Sequence, residues 1–145
     1  MLGRFCTAVA VVVSLLSATG CAVNRASATL MADSDLTKVK TVYVVQAPED
    51  GRGINEELAK AFGKRGYVAT TGPELKPPYP QDAVVTYIDK WMWDITMYMI
   101  ELTVTVRDSK NFPMATGNSL HTSLTRKSPH EMVDEVVGNI VAAKH

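Results

Sequence analysis

The longest run of β-branched, aromatic and apolar residues beyond the amino-terminal segment spans residues 82–107, DAVVTYIDKWMWDITMYMIELTVTVR. A single strand of that length would far exceed the usual length of roughly 3–10 residues. The run therefore predicts two long antiparallel strands, joined by a turn within residues 89–94. In the second strand one face is apolar, and this alternation is typical of a half-buried strand. That face comprises Tyr98, Ile100, Leu102, Val104 and Val106.

The residues before this hairpin predict a strand, a helix and a second short strand. Residues 39–46 are rich in valine and predict the first strand. Residues 54–65 predict an amphipathic helix, with Gly66 placed as the left-handed residue that follows it. Residues 67–71 predict the second strand, and a proline-stiffened connection then leads to the hairpin. The apolar stripe of the helix comprises Ile54, Leu58, Ala61 and Phe62.

The residues after the hairpin predict a last strand and a terminal helix. Residues 114–125 alternate loosely, with Gly117 as a candidate β-bulge. The expected pattern of this strand is Thr116, Leu120, Thr122 and Leu124. Ser128 and Glu131, with Pro129 between them, have the spacing of a capping box that opens a helix. The apolar stripe of that helix comprises Met132, Val133, Val136, Val137, Ile140 and Val141.

The predicted order of elements is therefore β-α-β-β-β-β-α. Two helices with one apolar stripe each fit best against one face of a sheet. We expect a two-layer α+β domain over residues 39–145, with a largely antiparallel sheet and both helices on the same face. Residues 21–38 are small, polar and weakly patterned, so we expect them to form a tether.

Residues 1–20 have the organisation of an export signal. Arg4 provides the positive charge, and residues 5–16 form an apolar run of signal-peptide length. That run is shorter than the roughly 20 apolar residues that a membrane-spanning helix needs. We therefore expect residues 1–20 to be a signal peptide.

Small residues precede a cysteine at the end of this signal, in Ser17-Ala18-Thr19-Gly20-Cys21. The segment resembles the lipobox of bacterial lipoproteins, with Ala18 where leucine is usual. The resemblance implies that the Cys21 thiol is acylated and anchors the chain to a membrane. Because no aspartate follows the cysteine, it also implies the periplasmic face of the outer membrane. An ordinary secretory peptide cut near Gly20 and an uncleaved anchor are the alternatives.

The mature chain is also similar to small Gram-negative envelope lipoproteins of uncharacterised function. The similarity rests on Lys64-Arg65-Gly66-Tyr67, where a helix ends in Gly-Tyr, and on the aspartate-led valine strand of residues 82–87. It implies a compact α/β domain behind a lipobox and brings no established activity.

The sequence argues against several classes of function. Acidic and basic residues balance, so no basic surplus favours a nucleic-acid partner. We find no nucleophile motif, phosphate loop or metal-ligand spacing, and we predict no catalytic residue, metal or cofactor. Gly51-Arg52-Gly53 is only a fragment of a phosphate-binding pattern. His121 lies near Ser119 and Ser123 but has no acidic residue spaced to orient it.

One cluster of side chains stands out within the hairpin. Aromatic and methionine side chains together form the adaptable apolar surfaces that proteins use for contacts. The candidate contact patch comprises Trp91, Met92, Trp93, Met97 and Met99. The simpler interpretation is that the two tryptophan rings cover one end of the core.

Two classes of function follow from these features. The first is a non-enzymatic, lipid-anchored envelope protein that acts as an accessory or assembly factor through contacts with a partner protein. The second is a small module that binds a hydrophobic ligand, such as a lipid or a precursor, with the tryptophan and methionine cluster. A large pocket would favour the second class, whereas an exposed sheet face or a free edge strand would favour the first.

Overall fold

The computed structural model of the protein describes residues 24–144, so the predicted signal peptide and Cys21 lie outside the described residues. The strands are β1 (Asn24–Leu30), β2 (Thr41–Val45), β3 (Val68–Gly72), β4 (Ala83–Asp94), β5 (Thr96–Asp108) and β6 (Pro113–His121). The helices are α1 (Ile54–Lys64) and α2 (Pro129–Ala142), with short 3-10 turns at Leu36–Lys38 and Ser123–Thr125.

The strands form one six-stranded sheet in the order β1-β6-β5-β4-β2-β3. β2 runs parallel to both β3 and β4, and the remaining neighbours are antiparallel. Alternate residues of the central strands, such as Val104 and Val106, join the apolar stripes of both helices in a single core. The two helices therefore cover one face of a largely antiparallel sheet, which confirms the predicted α+β fold.

The local signals around both helices are confirmed. Gly66 has a φ of 94° after α1, and the Tyr67 ring packs edge-on against Phe62 with centroids 5.7 Å apart. At the start of α2 the Ser128 hydroxyl accepts a hydrogen bond from the Glu131 backbone N–H, and the Glu131 carboxylate accepts one from the Ser128 N–H. These signals depend only on neighbours in the chain, so the sequence is enough to locate them.

The predicted tether contains a strand that the sequence does not indicate. β1 pairs antiparallel with β6, from Asn24 opposite His121 to Leu30 opposite Ala115. Ala28 and Leu30 pack against the core. The segment is mostly small and polar, so its strand conformation depends on pairing with β6 rather than on its own residue preferences. The tether prediction is therefore wrong for β1.

The prediction for the last strand is wrong about which face is buried. β6 ends at His121, and its side chains on the core side come from Ala115, Gly117, Ser119 and His121. Leu124, expected in the strand, lies in the following 3-10 turn and is 87% exposed. The apolar alternation did not identify the buried face, because the side chains of β6 that face α2 are small or polar.

Gly117 allows α2 to lie close to the sheet, and it does not form the expected β-bulge. The strand register is continuous through Gly117, which lies opposite Val104. A Cβ atom at this position would lie 2.8 Å from Ile140 Cγ1 and 3.2 Å from Val136 Cγ1. A side chain here would therefore push the helix away from the sheet.

The hairpin is confirmed, but its turn and its side-chain alternation differ from the prediction. The turn is centred on Ile95, which has a φ of 61°, rather than within residues 89–94. Lys90 lies opposite Glu101 whereas Trp91 lies opposite Met99, so Ile100 is the extra residue of a β-bulge. Beyond the bulge the alternation of β5 reverses, and Met99 rather than Ile100 enters the core.

We predict that Gly117→Ala destabilises the fold by about 1–3 kcal/mol, because the new methyl group overlaps Ile140 in a packed interior. Gly63 in α1 is a matched control, since a Cβ there meets nothing within 4 Å. Gly63→Ala should stabilise the chain slightly, by about 0.5–1 kcal/mol. Urea unfolding of both variants tests this, and equal stability of the two would contradict the close approach of α2.

Candidate functional site

Large apolar side chains are exposed at the tip of the β4–β5 hairpin. Trp93 is 71% exposed and Ile95 is 86% exposed, while Met92 and Met97 are each about half exposed. Trp93 and Met97 lie opposite each other in the ladder, and Ile95 lies at the turn between them. The tip extends past the bulge, beyond the part of the sheet that the helices cover.

The segment that follows β6 fastens this tip to the rest of the domain. The Ser123 hydroxyl donates a hydrogen bond to the Asp94 carboxylate. Arg126 donates to the Thr96 hydroxyl at 2.9 Å, and its guanidinium lies 4.7 Å from the centroid of the Tyr98 ring. The tip is therefore held in place, and the exposed Leu124 is carried on the same segment.

Trp91 is held by polar partners and is only partly exposed. The Arg52 guanidinium lies 4.0 Å from the centroid of its ring, and its Nε1 donates a hydrogen bond to Asp89 Oδ2 at 2.6 Å. The indole also packs against the core. For Trp91, the interpretation that it covers one end of the core is therefore the better description.

The loop that carries Arg52 is organised by the Asp50 carboxylate. Asp50 accepts hydrogen bonds from the Tyr87 hydroxyl at 2.6 Å and from the Arg52 and Asn55 backbone N–H groups. Burial raises the pKa of Asp50, but these hydrogen bonds outweigh burial and hold the pKa below its ordinary value. Gly51-Arg52-Gly53 is therefore part of a turn, whose arginine covers a tryptophan.

The structure buries one member of the predicted contact patch, Met99, and exposes Met92, Trp93 and Met97. Met99 is fully buried and belongs to the core, because the bulge turns it toward the helices; its place in the patch was a wrong prediction. The sequence did not indicate Ile95 or Leu124 as members of the patch, since Ile95 lies at the turn and the pattern placed Leu124 in a strand. We use the name tip cluster for the exposed residues at this end, which are Met92, Trp93, Ile95, Met97 and Leu124.

A second cluster links β6 to α2 beneath the sheet. The Ser119 hydroxyl donates a hydrogen bond to Glu135 Oε2 at 2.6 Å, and His121 Nε2 lies 2.8 Å from the same oxygen. Lys127 Nζ lies 2.6 Å from Glu135 Oε1. The sequence did not suggest Glu135 as a partner of His121 because it lies on another element, fourteen positions away.

The hydrogen bonds and the ion pair of this cluster hold β6 and α2 together. Ser119 is fully buried and His121 nearly so. Burial raises the pKa of Glu135, but hydrogen bonds from Lys127, Ser119 and His121 outweigh burial and lower the pKa to about 2. Among the described hydrogen bonds none joins the Ser119 hydroxyl to the His121 ring, so the pair lacks the nucleophile–base contact of a hydrolase.

Surface clefts lie mostly away from the tip. Clefts of about 770 and 710 Å³ flank residues 32–35, at the opposite end of the sheet. The cleft that Trp91 and Arg52 help to line is only about 180 Å³. Within residues 24–144 no helix is long and apolar enough to cross a membrane. The same residues contain no group of three or more His, Cys, Asp or Glu placed to hold a metal ion.

Both edges of the sheet are free in the described part of the chain. β1 forms one edge and β3 the other, and each has a strand neighbour on one side only. The first four residues of β1 are exposed, and Val68 at the start of β3 is 66% exposed. Such edges present unpaired backbone N–H and C=O groups to other chains.

Comparison with solved structures finds similar chains. The PelC dodecamer from Paraburkholderia phytofirmans is similar with a TM-score of 0.54 at 9% identity, covering 83% of this chain and 96% of that chain. A point variant of this PelC dodecamer gives 0.52 at 12% identity, with 83% and 95% covered. TolB from Acinetobacter baumannii gives 0.44 at 13% identity, with 81% and 31% covered. At these identities the likeness to the two PelC structures shows a shared fold.

Comparison by sequence gives no relative. No protein-family model matches the chain, and no curated protein matches it. A function for this chain therefore has to be argued from its own residues.

We predict that Glu135→Gln lowers stability at neutral pH, because the amide cannot form the ion pair with Lys127. The folded-state pKa of about 2 lies below the ordinary value of 4.5, so the carboxylate stabilises the fold above pH 4.5. That contribution is lost as the pH falls from 4.5 toward 2. The difference in unfolding free energy between wild type and variant should shrink over this window. A difference that stays constant with pH would contradict this assignment.

Proposed function

We propose that this protein is a non-enzymatic, lipid-anchored envelope protein that acts as an accessory or assembly factor through protein contacts. The observation that supports this proposal is the pair of free sheet edges. Both edge strands lack a second strand neighbour among the described residues. An extended segment of another chain can add to such an edge through backbone hydrogen bonds. On the sheet face opposite the helices Ile88 is 63% exposed, whereas Val84 on the same face is buried.

The amino-terminal sequence supports the lipid anchor. Cys21 follows a segment that resembles a lipobox and precedes the first residue of β1 by three positions. An anchor at Cys21 would therefore hold the domain close to the membrane surface. The residue after the cysteine is Ala22, which favours the periplasmic face of the outer membrane in the lipoproteins that the segment resembles.

The alternative function, a module for a hydrophobic ligand at the tryptophan and methionine cluster, has weaker support. Sites for small molecules usually enclose roughly 300–1,000 Å³. The cleft beside Trp91 is about 180 Å³, and Trp93 does not line it. Larger clefts of about 770, 710 and 490 Å³ exist, but no tryptophan or methionine of the hairpin lines any of the three.

A second copy of this chain is one partner that the fold comparison suggests. PelC, which shares the fold, is described as a dodecamer. A contact between β1 of one copy and β3 of another would be head-to-tail, as in a ring or a filament, whereas β1 against β1 or β3 against β3 would form a two-fold dimer. A different envelope protein could use the same edges, and the experiments below distinguish the two partners.

The anchor is tested by Cys21→Ala in cells supplied with a labelled fatty acid. We expect the variant to lose the label and to leave the membrane fraction or remain unprocessed, because the acylated thiol is gone. Cys6→Ala is the matched control, since Cys6 lies inside the predicted signal peptide and should not be acylated in the mature chain. Labelling of Cys21→Ala at the wild-type level would refute the anchor.

The contact surface is tested by photo-crosslinking from the two sheet edges. A photoreactive residue at Ser27 in β1 or at Val68 in β3 should give defined adducts in membranes, because both positions are exposed on free edges. The control position is Lys110, an exposed residue in the turn before β6. The mass of each adduct shows whether the partner is a second copy or another protein. If neither edge gives more adduct than Lys110, the proposed contact function is wrong.

A further inference from the structure

The start of β1 lies at the same end of the sheet as the hairpin tip. Asn24 lies opposite His121 at the end of β6. The neighbouring residue Leu120 lies opposite Glu101 in β5, five positions after Thr96 at the tip. The first described residue of the chain and the tip cluster are therefore neighbours at one end of the domain.

Hydrogen bonds connect the start of β1 to the tip through the segment after β6. The Thr125 hydroxyl donates to the Asn24 side-chain carbonyl. Ser123, two residues earlier, donates to Asp94 in the hairpin. Leu124 lies between these two residues and is exposed. The amino-terminal end of the domain and its tip are thus joined by one short segment.

The covalent chain limits the distance of Cys21 from this end. Cys21 precedes Asn24 by three residues. Because an extended chain spans at most about 3.6 Å per residue, the two Cα atoms lie within about 11 Å of each other. A lipid on Cys21 would therefore enter the membrane beside the tip cluster.

We propose that the tip cluster inserts into the interface of the lipid bilayer and forms a second membrane contact beside the lipid on Cys21. This inference rests on the lipid anchor proposed above. Tryptophan is enriched at the membrane–water interface, and Trp93, Ile95 and Leu124 are the most exposed members of the cluster. A lipid chain combined with a second membrane contact anchors a protein more stably than one chain alone.

The charges near the tip indicate which property of the membrane is recognised. Arg126 pairs with Asp94, and both Lys90 and Arg25 pair with Glu101. These pairs contain three basic and two acidic side chains, so their net charge of +1 is too small to select anionic headgroups strongly. The contact is therefore apolar, and bilayers of zwitterionic phosphatidylcholine should be sufficient.

Insertion of the tip would set the orientation of the domain. The β4–β5 hairpin would point toward the membrane, and the opposite end would point away from it. That opposite end carries Phe112, in the turn before β6, which is 65% exposed. Both edge strands would then run away from the membrane and stay accessible to partners.

The test uses tryptophan fluorescence of the full, processed and lipidated protein in phosphatidylcholine vesicles. The chain contains only two tryptophans, so Trp91→Phe leaves Trp93 as the single reporter. Lipids that carry bromine on their acyl chains quench an indole that enters the bilayer. We expect strong quenching and a blue-shifted emission from Trp93, with shallow bromines quenching more than deep ones.

Two matched variants report on other parts of the domain. Trp93→Phe leaves Trp91, which Arg52 covers, and should be quenched much less. Phe112→Trp in a chain without Trp91 and Trp93 places the reporter at the opposite end, where no quenching is expected. Circular dichroism checks that each variant folds. If Trp91→Phe does not fold, Trp91→Tyr takes its place.

Each outcome decides the inference. The mass of the amino-terminal peptide from the same sample shows whether Cys21 is acylated, and an unacylated peptide overturns both the anchor and the tip insertion. If Cys21 is acylated but Trp93 is quenched no more than the reporter at position 112, the tip insertion alone is wrong. Quenching confined to Trp93 supports it.

Discussion

The pairing of β4 with β5 is the interaction on which the rest of the structure depends. These strands are the two central members of the sheet, and each carries one half of it. β2 adds to β4 with Val44 opposite Val85, and β6 adds to β5 with Ala115 opposite Val106. Both helices pack against the single apolar face that results. Without this hairpin the halves of the sheet would share no ladder, so the core is assembled around it.

The bulge at Ile100 divides the hairpin into a structural part and a free part. On one side of it, Leu102 and the residues that follow fill the core beneath the helices. On the other side Met99 still enters the core, and the strands then continue to the turn, where Trp93 and Ile95 are exposed. A bulge changes the direction and twist of a strand, which is one way for a sheet to present side chains outside its core. The same hairpin therefore supports the core at one end and offers an apolar contact surface at the other.

The sequence predicts those parts of the structure that are determined by residues close together in the chain. The capping box of α2, the left-handed Gly66 and the alternation after Leu102 depend on neighbours in the chain, and all are confirmed. β1 was missed because its strand conformation comes from pairing with residues about ninety positions away. Met99 was misplaced because a bulge leaves no clear signal in the sequence, and Glu135 was not connected to His121 because only the packing of α2 on β6 brings them together.

We propose that the hairpin tip faces the membrane to which the proposed lipid on Cys21 anchors the chain. Site-directed spin labelling of the lipidated protein in vesicles tests it most directly, because the predicted mature chain has no other cysteine. A label at Ile95→Cys should collide more with membrane-soluble oxygen than with a water-soluble nickel chelate. A label at Phe112→Cys should show the opposite preference. If the label at position 95 prefers the nickel chelate as strongly as the label at position 112 does, the tip does not face the membrane.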